Sequence, residues 1–234
     1  MRRLLALLGA ALMVAAFAVP AAAEEPPSTY EVTITNLAAT QPISPPVVVT
    51  HHARNSFFAV GDLASDGVVA IAENGDPSVA VAALDGASHV TDVVNVGQPL
   101  TLAGTTFGDF GDSVTVAIDG LRSDVLSIAG MLICTNDGFA GGDSLELPRR
   151  GSVTYYLGAY DAGSEYNTEA SADIVDACSL LGPVVLDGDD NGNNNDGIDT
   201  SDAVSAHPGI AGDADLLTAH NWDGAVLMVT ITRG

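Results

Sequence analysis

Lysine is absent from this 234-residue chain, and only seven arginines stand against 30 aspartates and glutamates. The formal net charge of −23 repels phosphate and anionic lipid, and no cluster of basic residues could neutralise a nucleic-acid backbone. We therefore exclude electrostatic binding of nucleic acid and expect cations as the natural partners. Strong acidity is also typical of proteins that stay soluble in high salt, so both explanations stay open at this stage.

Long apolar runs are equally scarce, and the one that exists covers residues 4–19. Two arginines precede it, and an Ala-x-Ala sequence at the spacing of a signal-peptidase site follows it. This pattern predicts a secretory signal peptide over residues 1–23, followed by a proline-rich lead over 24–29. No later run is long enough to span a bilayer, so we expect a secreted or cell-surface protein without a transmembrane segment after cleavage.

Cysteine occurs only at Cys134 and Cys178. Outside the cytosol, two cysteines without a Cys-x-x-Cys spacing most simply form one structural disulfide, here closing a long loop. A metal-thiolate site would need histidine or cysteine partners at ligand spacing, and the sequence around both cysteines offers none. We favour the disulfide.

Alternating apolar residues and short turns dominate the remainder, residues 30–234, which we interpret as one domain. Turns such as Gly97-Gln98-Pro99 and Asp119-Gly120 are typical of hairpins. The pattern predicts an all-β fold, an antiparallel β-sandwich of about eight strands. The predicted strands cover residues 30–34, 47–50, 90–96, 100–107, 114–118, 125–133, 153–157 and 225–232.

Two segments depart from this strand pattern. Residues 63–73 have a helical spacing of apolar positions, and Asn74-Gly75-Asp76-Pro77 stops the helix. Residues 77–85 are ambiguous, so one or two short helices are expected. Prolines 45 and 46 directly precede residues 47–50, which predicts that this strand lies at a sheet edge.

An Asp/Asn/Gly tract forms a predicted polar insertion loop near residues 187–202. Asp187, Asp189, Asn191 and Gly192 match the opening of a calcium loop, in which alternate oxygen ligands converge around a turn. The twelfth position is Ile198, where a bidentate glutamate should close the shell. A second calcium site and an ordinary surface loop both remain possible interpretations.

A second set of carboxylates follows two predicted strands. Asp137 comes shortly after the strand that ends near residue 133, and Asp161 and Glu165 follow the strand that ends near residue 160. If these strands are neighbours, their loops emerge together, and the carboxylates repel unless a hard divalent cation joins them. Oxygen-only ligands favour calcium over zinc. A solvated acidic loop explains each residue, taken singly, equally well.

Residues 127–132, 135–139 and 160–165 together resemble the paired signature of the spondin N-terminal domain family. Further similarity spans nearly the whole mature chain, over residues 30–37, 44–46, 50–51, 61–65, 72–76 and 207–209. The resemblance implies an antiparallel sandwich related to membrane-docking calcium domains. It also implies a bound calcium ion, a place in extracellular adhesion, and no catalysis.

Carried over by motif, the resemblance assigns Asp137, Asp161 and Glu165 as calcium ligands. Glu165 departs from the animal pattern, which has aspartate at that position, so the shell would be remodelled there. The tract at 187–202 looks like an insertion relative to the family. The implied partner, besides the calcium ion, is an extracellular or cell-surface protein or glycan.

Enzymatic interpretations find less support. The Gly-Asp-Ser-Leu string at 142–145 spells an esterase nucleophile motif, but no Asp-x-x-His follows to supply a base. An exported metal-dependent hydrolase could use His51 or His52 with His207 and an aspartate, although no HExxH motif is present. Adjacent strand positions point to opposite faces, which predicts one packed and one exposed ring for His51 and His52. The leading hypothesis is a secreted calcium-binding interaction module, and the hydrolase is the alternative.

Overall fold

The computed structural model describes residues 26–182 and 197–234. The predicted signal peptide over 1–23 and the calcium-loop motif at 187–192 therefore lie outside the described residues. Within them, no helix combines the length and apolar character that crossing a bilayer requires.

The described residues form twelve strands, all paired antiparallel, and eight of these strands have six or more residues. In chain order they are β1 (Ser28–Asn36), β2 (Val47–His52), β3 (Val90–Asn95), β4 (Thr106–Phe107), β5 (Phe110–Gly111), β6 (Ser113–Gly120), β7 (Asp124–Met131), β8 (Gly138–Glu146), β9 (Ser152–Leu157), β10 (Ala159–Asp161), β11 (Ser205–Ala206) and β12 (Leu227–Arg233).

Two sheets make up the sandwich. The four-stranded sheet has the order β6-β1-β12-β9, the six-stranded sheet has the order β11-β10-β8-β7-β2-β3, and β4 and β5 form a separate hairpin. The predicted antiparallel β-sandwich is confirmed. In β1, for example, Tyr30, Val32 and Ile34 are buried while the intervening residues are more exposed, as a strand with one core face requires.

Helices cover the outer face of the six-stranded sheet. The predicted helix exists as α1 (Asp66–Asn74), with Ser65 as its N-cap and Gly75 ending it at φ 63°. The ambiguous segment is also helical, as α2 (Ser78–Leu84), and a third helix, α3 (Ala177–Leu181), follows later. Short 3₁₀ turns occupy Ser171–Asp173 and Thr218–His220. Because the helices pack on this face, every residue of β7 is buried.

Two strand predictions were wrong. β2 lies between β7 and β3 rather than at an edge, because its prolines precede Val47, the first residue of the ladder, and so remove no ladder hydrogen bond. The predicted strand over 100–107 is mostly irregular: Leu100 forms only an isolated bridge with Ile43, and strand structure begins again at β4.

Strand β8 was missed because glycine, aspartate and serine give it a low strand propensity. Its glycines are required by close packing instead. A Cβ on Gly141 would lie 2.6 Å from the backbone oxygen of Ile128 on the neighbouring strand β7.

The predicted disulfide between Cys134 and Cys178 is confirmed, with the two Cα atoms 5.0 Å apart. It joins the segment after β7 to helix α3 within a small apolar cluster that also contains Met131, Ile174 and Leu216. The bridge therefore braces the end of the sandwich at which the predicted calcium ligands lie.

Candidate metal centre

The segments that carry the three predicted ligands lie next to each other at one edge of the six-stranded sheet. Asp137 directly precedes β8, and Asp161, the last residue of β10, pairs in register with Gly138. The backbone N–H of Ala162 donates to the backbone oxygen of Asp137, at 3.1 Å. Four residues after Asp161, the backbone N–H of Glu165 donates to Asp137 Oδ2, also at 3.1 Å. We refer to Asp137, Asp161 and Glu165 as the carboxylate site.

Asp137 is the centre of this arrangement and is completely buried. Its Oδ2 atom accepts hydrogen bonds from the Ser164 N–H at 2.8 Å and the Ser164 hydroxyl at 3.3 Å, besides the bond from Glu165. Its Oδ1 atom is equally buried and has no hydrogen-bond partner among the described residues. Leaving a buried carboxylate oxygen unsatisfied costs free energy, so Oδ1 is the atom of this cluster that would gain most from a ligand.

The electrostatics of the site disfavour negative charge. Burial, together with the nearby charge of Asp161, raises the pKa of Asp137 to about 6, although Ser164 and Glu165 donate hydrogen bonds that oppose the shift. Glu73, at the end of α1, also has a raised pKa, chiefly because of burial and secondarily because of the charges of Asp137 and Asp199. A divalent cation would relieve both the repulsion and the unsatisfied oxygen.

The other two carboxylates already have partners. Asp161 Oδ1 accepts from the Gly163 N–H at 2.8 Å, and Asp161 Oδ2 accepts from the Asn167 side-chain amide at 2.6 Å. Glu165 is buried, and its backbone forms an isolated bridge with Asp199. In this arrangement the described residues contain no group of three acidic, histidine or cysteine side chains that converge as metal ligands. Carboxylate oxygens are the ligand type that calcium prefers.

The structure also brings His207 here, a residue that the sequence suggested as a ligand only for a metal-dependent hydrolase. Its backbone N–H donates to the backbone oxygen of Ala159, the first residue of β10, and its ring packs against Trp222 with the ring centroids 5.1 Å apart. Its Nε2 atom is buried and has no partner within the described ranges. Burial lowers the pKa of His207, against the opposing effects of Asp161 and Glu169. The His-Pro-Gly string was the signal available, because Gly209, at φ 90°, forms the turn that orients the ring.

The histidines proposed for a hydrolase are not brought together. His51 pairs with Val125 at the start of β7, whereas His207 lies beside Gly138, past the far end of that strand. Six residues of extended strand separate these ends by about 20 Å. His51 is buried and His52 is exposed, so the prediction of opposite faces is confirmed. The pairing of either residue with His207 at one zinc ion was wrong.

His51 belongs to a separate cluster, which we call the His51 network and which comprises the buried residues His51 and Ser127, the half-buried Asp143 and the exposed Ser144. His51 Nε2 lies 2.7 Å from Ser127 Oγ, and the Ser127 hydroxyl donates to Asp143 Oδ1 at 3.0 Å. The backbone N–H of Ser144 donates to Ser127 Oγ, and the Ser144 hydroxyl donates to Asp143 Oδ2. Ser144, the serine of the esterase-like string, is therefore bonded to an aspartate rather than a histidine.

No known family model matches this chain, and no curated protein matches it either.

Proposed function

We propose that this chain is a secreted, non-catalytic interaction module whose calcium ion is held at the carboxylate site, as in the spondin N-terminal domains that its sequence resembles. The observation that carries the proposal is the buried Oδ1 atom of Asp137, which has no partner among the described residues and lies beside a second carboxylate, Asp161. Such an oxygen gains most from a hard divalent cation, which replaces the missing hydrogen bond and offsets the repulsion at the same time.

The position of the site supports a structural role for the ion. Asp137 belongs to the connection from β7 to β8, whereas Asp161 and Glu165 belong to the segment that leaves β10. An ion bound by both connections would hold them in one arrangement and so define the surface at this edge of the sandwich. We infer that this surface contacts an extracellular or cell-surface protein or glycan.

Two further observations are compatible with export. The disulfide is of the kind that persists in oxidising compartments, and the acidic composition is suited to an environment rich in cations. The alternative, a metal-dependent hydrolase, has less support, because the distance along β7 separates His51 from His207.

Calcium-dependent unfolding tests the proposal. The ion-free protein is prepared with a chelator, and its unfolding is followed with increasing calcium. At a calcium concentration one hundred times the dissociation constant, we expect the free energy of unfolding to rise by about 2.7 kcal/mol. Asp161→Asn should lose most of this response, because it removes the charge that a cation compensates.

The matched control is Asp143→Asn, which changes a half-buried aspartate of the His51 network at the other end of β7. It should keep the full calcium response even if it lowers the overall stability. Far-UV circular dichroism establishes that both variants are folded. Unfolding that is insensitive to millimolar calcium in the unsubstituted protein, or an equal response in Asp161→Asn, would contradict the proposal.

A further inference from the structure

The protonation of the His207 ring is determined by its own turn. The backbone N–H of Gly209 donates to His207 Nδ1 at 3.0 Å. An imidazole nitrogen that accepts a hydrogen bond carries no proton, so in the neutral ring the proton is on Nε2. Burial, which lowers the pKa of this histidine, favours the neutral ring. His207 Nε2 is therefore a buried N–H donor.

This donor lies at the carboxylate site. A Cβ on Gly138 would lie 3.0 Å from His207 Nε2, so the ring occupies space that only a glycine at position 138 leaves open. Asp137 immediately precedes Gly138, and Asp161 pairs with it in register. Among the described residues, the only two buried side-chain oxygen or nitrogen atoms without a partner are Asp137 Oδ1 and His207 Nε2. One is an acceptor and the other is a donor.

We propose that His207 is a positioning residue of the carboxylate site: its Nε2–H donates to an oxygen atom bound beside Asp137 Oδ1, and the ring does not ligate the metal. This inference rests on the proposed calcium function and deepens it. A water molecule in the shell of the cation is the simplest such oxygen, because calcium shells commonly include water and a water accepts from one group while it donates to another.

The same tautomer makes the site selective. To ligate zinc through Nε2, the ring would have to move its proton to Nδ1, where it would face the N–H of Gly209. The Nδ1–H and the N–H of Gly209 would then point at each other, and neither donor would have an acceptor, which costs free energy. The site should therefore prefer an ion that seeks oxygen ligands, such as calcium, over zinc.

Nuclear magnetic resonance tests the tautomer directly. Long-range ¹H–¹⁵N correlation spectra of the ¹⁵N-labelled protein distinguish the two neutral tautomers, and His207→Gln assigns the signal. We expect the Nε2–H tautomer in the ion-free protein and with calcium, with a change in the Nε2 resonance when calcium binds. An Nδ1–H tautomer in the ion-free protein, or loss of the Nε2 proton on adding calcium, would overturn the inference.

Calorimetric titration with calcium tests the role of the donor. His207→Phe removes the donor, and we expect its dissociation constant for calcium to rise at least about tenfold, as when partners of metal ligands are removed elsewhere. His207→Gln can place an amide N–H near the position of Nε2 and should recover part of the loss. His52→Gln, at an exposed histidine on β2, is the matched control and should bind like the unsubstituted protein.

The outcomes separate this inference from the proposed function. Unchanged calcium binding by a folded His207→Phe would overturn the role of His207 while leaving the calcium site intact. Zinc binding that is tighter than calcium binding and removes the Nε2 proton would show that His207 is a ligand, and would also overturn it. Absence of calcium binding by the unsubstituted protein would refute the proposed function, and with it the role assigned to His207 there.

Discussion

The two ends of β7 each carry a buried or half-buried histidine near a buried or half-buried aspartate, and they differ in how completely the polar atoms are paired. In the His51 network, Ser127 joins His51 to Asp143, and the backbone N–H of Phe57 adds a further bond to Asp143 Oδ1 at 2.6 Å. At the carboxylate site, Asp137 Oδ1 and His207 Nε2 have no partner among the described residues. The two ends thus contain similar residue types, but their polar atoms differ in whether they have hydrogen-bond partners.

The difference indicates which cluster is structural. A fully paired polar network stabilises one arrangement of its strands and gains nothing from a ligand. A cluster with unpaired buried atoms is destabilised until something binds, so it gains free energy from a ligand that completes it. The comparison therefore predicts that changes at the His51 network alter stability alone, whereas changes at the carboxylate site alter stability and calcium response together.

The largest expected effect comes from the disulfide, which lies at the carboxylate end. Replacing both Cys134 and Cys178 by serine should lower the free energy of unfolding by about 4 kcal/mol, from the entropy of closing a loop of this length in the unfolded chain. Urea unfolding measures the loss. Hydrogen exchange should speed up most around Asp137 and least around Ser127, and equal acceleration at both ends would contradict the comparison.

The pH dependence of the ion-free protein should be the next largest effect. Asp137 keeps its proton up to about pH 6 when folded, whereas an aspartate in the unfolded chain loses it near pH 3.9. Between these values the folded state binds more protons, so stability is full below about pH 4 and falls as the pH rises through 6. The loss should reach about 3 kcal/mol.

Chemical unfolding from pH 4 to pH 7.5, in the presence of a chelator, measures this profile. Asp137→Asn carries no titrating group at this position, so the difference between its profile and that of the unsubstituted protein isolates Asp137. We expect saturating calcium to restore stability at pH 7.5. Parallel profiles for the two proteins would show that Asp137 is not the destabilising group.

A smaller effect is expected at the His51 network. Ser127→Ala removes the hydrogen-bond partner of His51 Nε2 and of the Ser144 N–H, and it removes one of the hydrogen bonds that Asp143 accepts. The free energy of unfolding should fall by about 2 kcal/mol. Calcium affinity should stay unchanged. Thr33→Ala, on the outer face of the four-stranded sheet, is the control and should change stability by less than about 0.5 kcal/mol. Weakened calcium binding by Ser127→Ala would mean that the two ends are coupled.

The smallest effect concerns two residues other than glycine that have positive φ, one near each end. Ser144→Gly relieves a backbone at φ 57° but loses an exposed hydrogen bond, so a gain below about 1 kcal/mol is expected. Glu169→Gly, at φ 55°, should destabilise, because its carboxylate accepts from the N–H groups of Ala211 and Gly212. Thermal unfolding of both variants tests whether Ser144→Gly stabilises and Glu169→Gly destabilises the protein. A change in stability in the same direction for both variants would contradict the expectation.

Much of the fold was accessible from sequence because it is recorded in local patterns. The alternation in β1 and the cap residues of α1 each reflect interactions within a few residues. Strand β8 and the interior position of β2 were inaccessible, because they depend on neighbours distant in sequence. Gly141, for example, is explained only by the backbone of Ile128 against it.

The candidate site, like the fold, was accessible from the sequence only in part. Acidic composition and strand-end position indicated Asp137, Asp161 and Glu165 from the sequence, because charge and strand ends can be read locally. Only the tertiary structure decided that Asp137 keeps one buried oxygen without a partner in the part of the chain that the structure describes, and that His207 adds an N–H donor beside Gly138. The physical reason is that hydrogen-bond satisfaction is a property of atoms meeting across the fold, and β10, paired with both β8 and β11, brings Asp137 and His207 to the same edge although they lie about 70 positions apart.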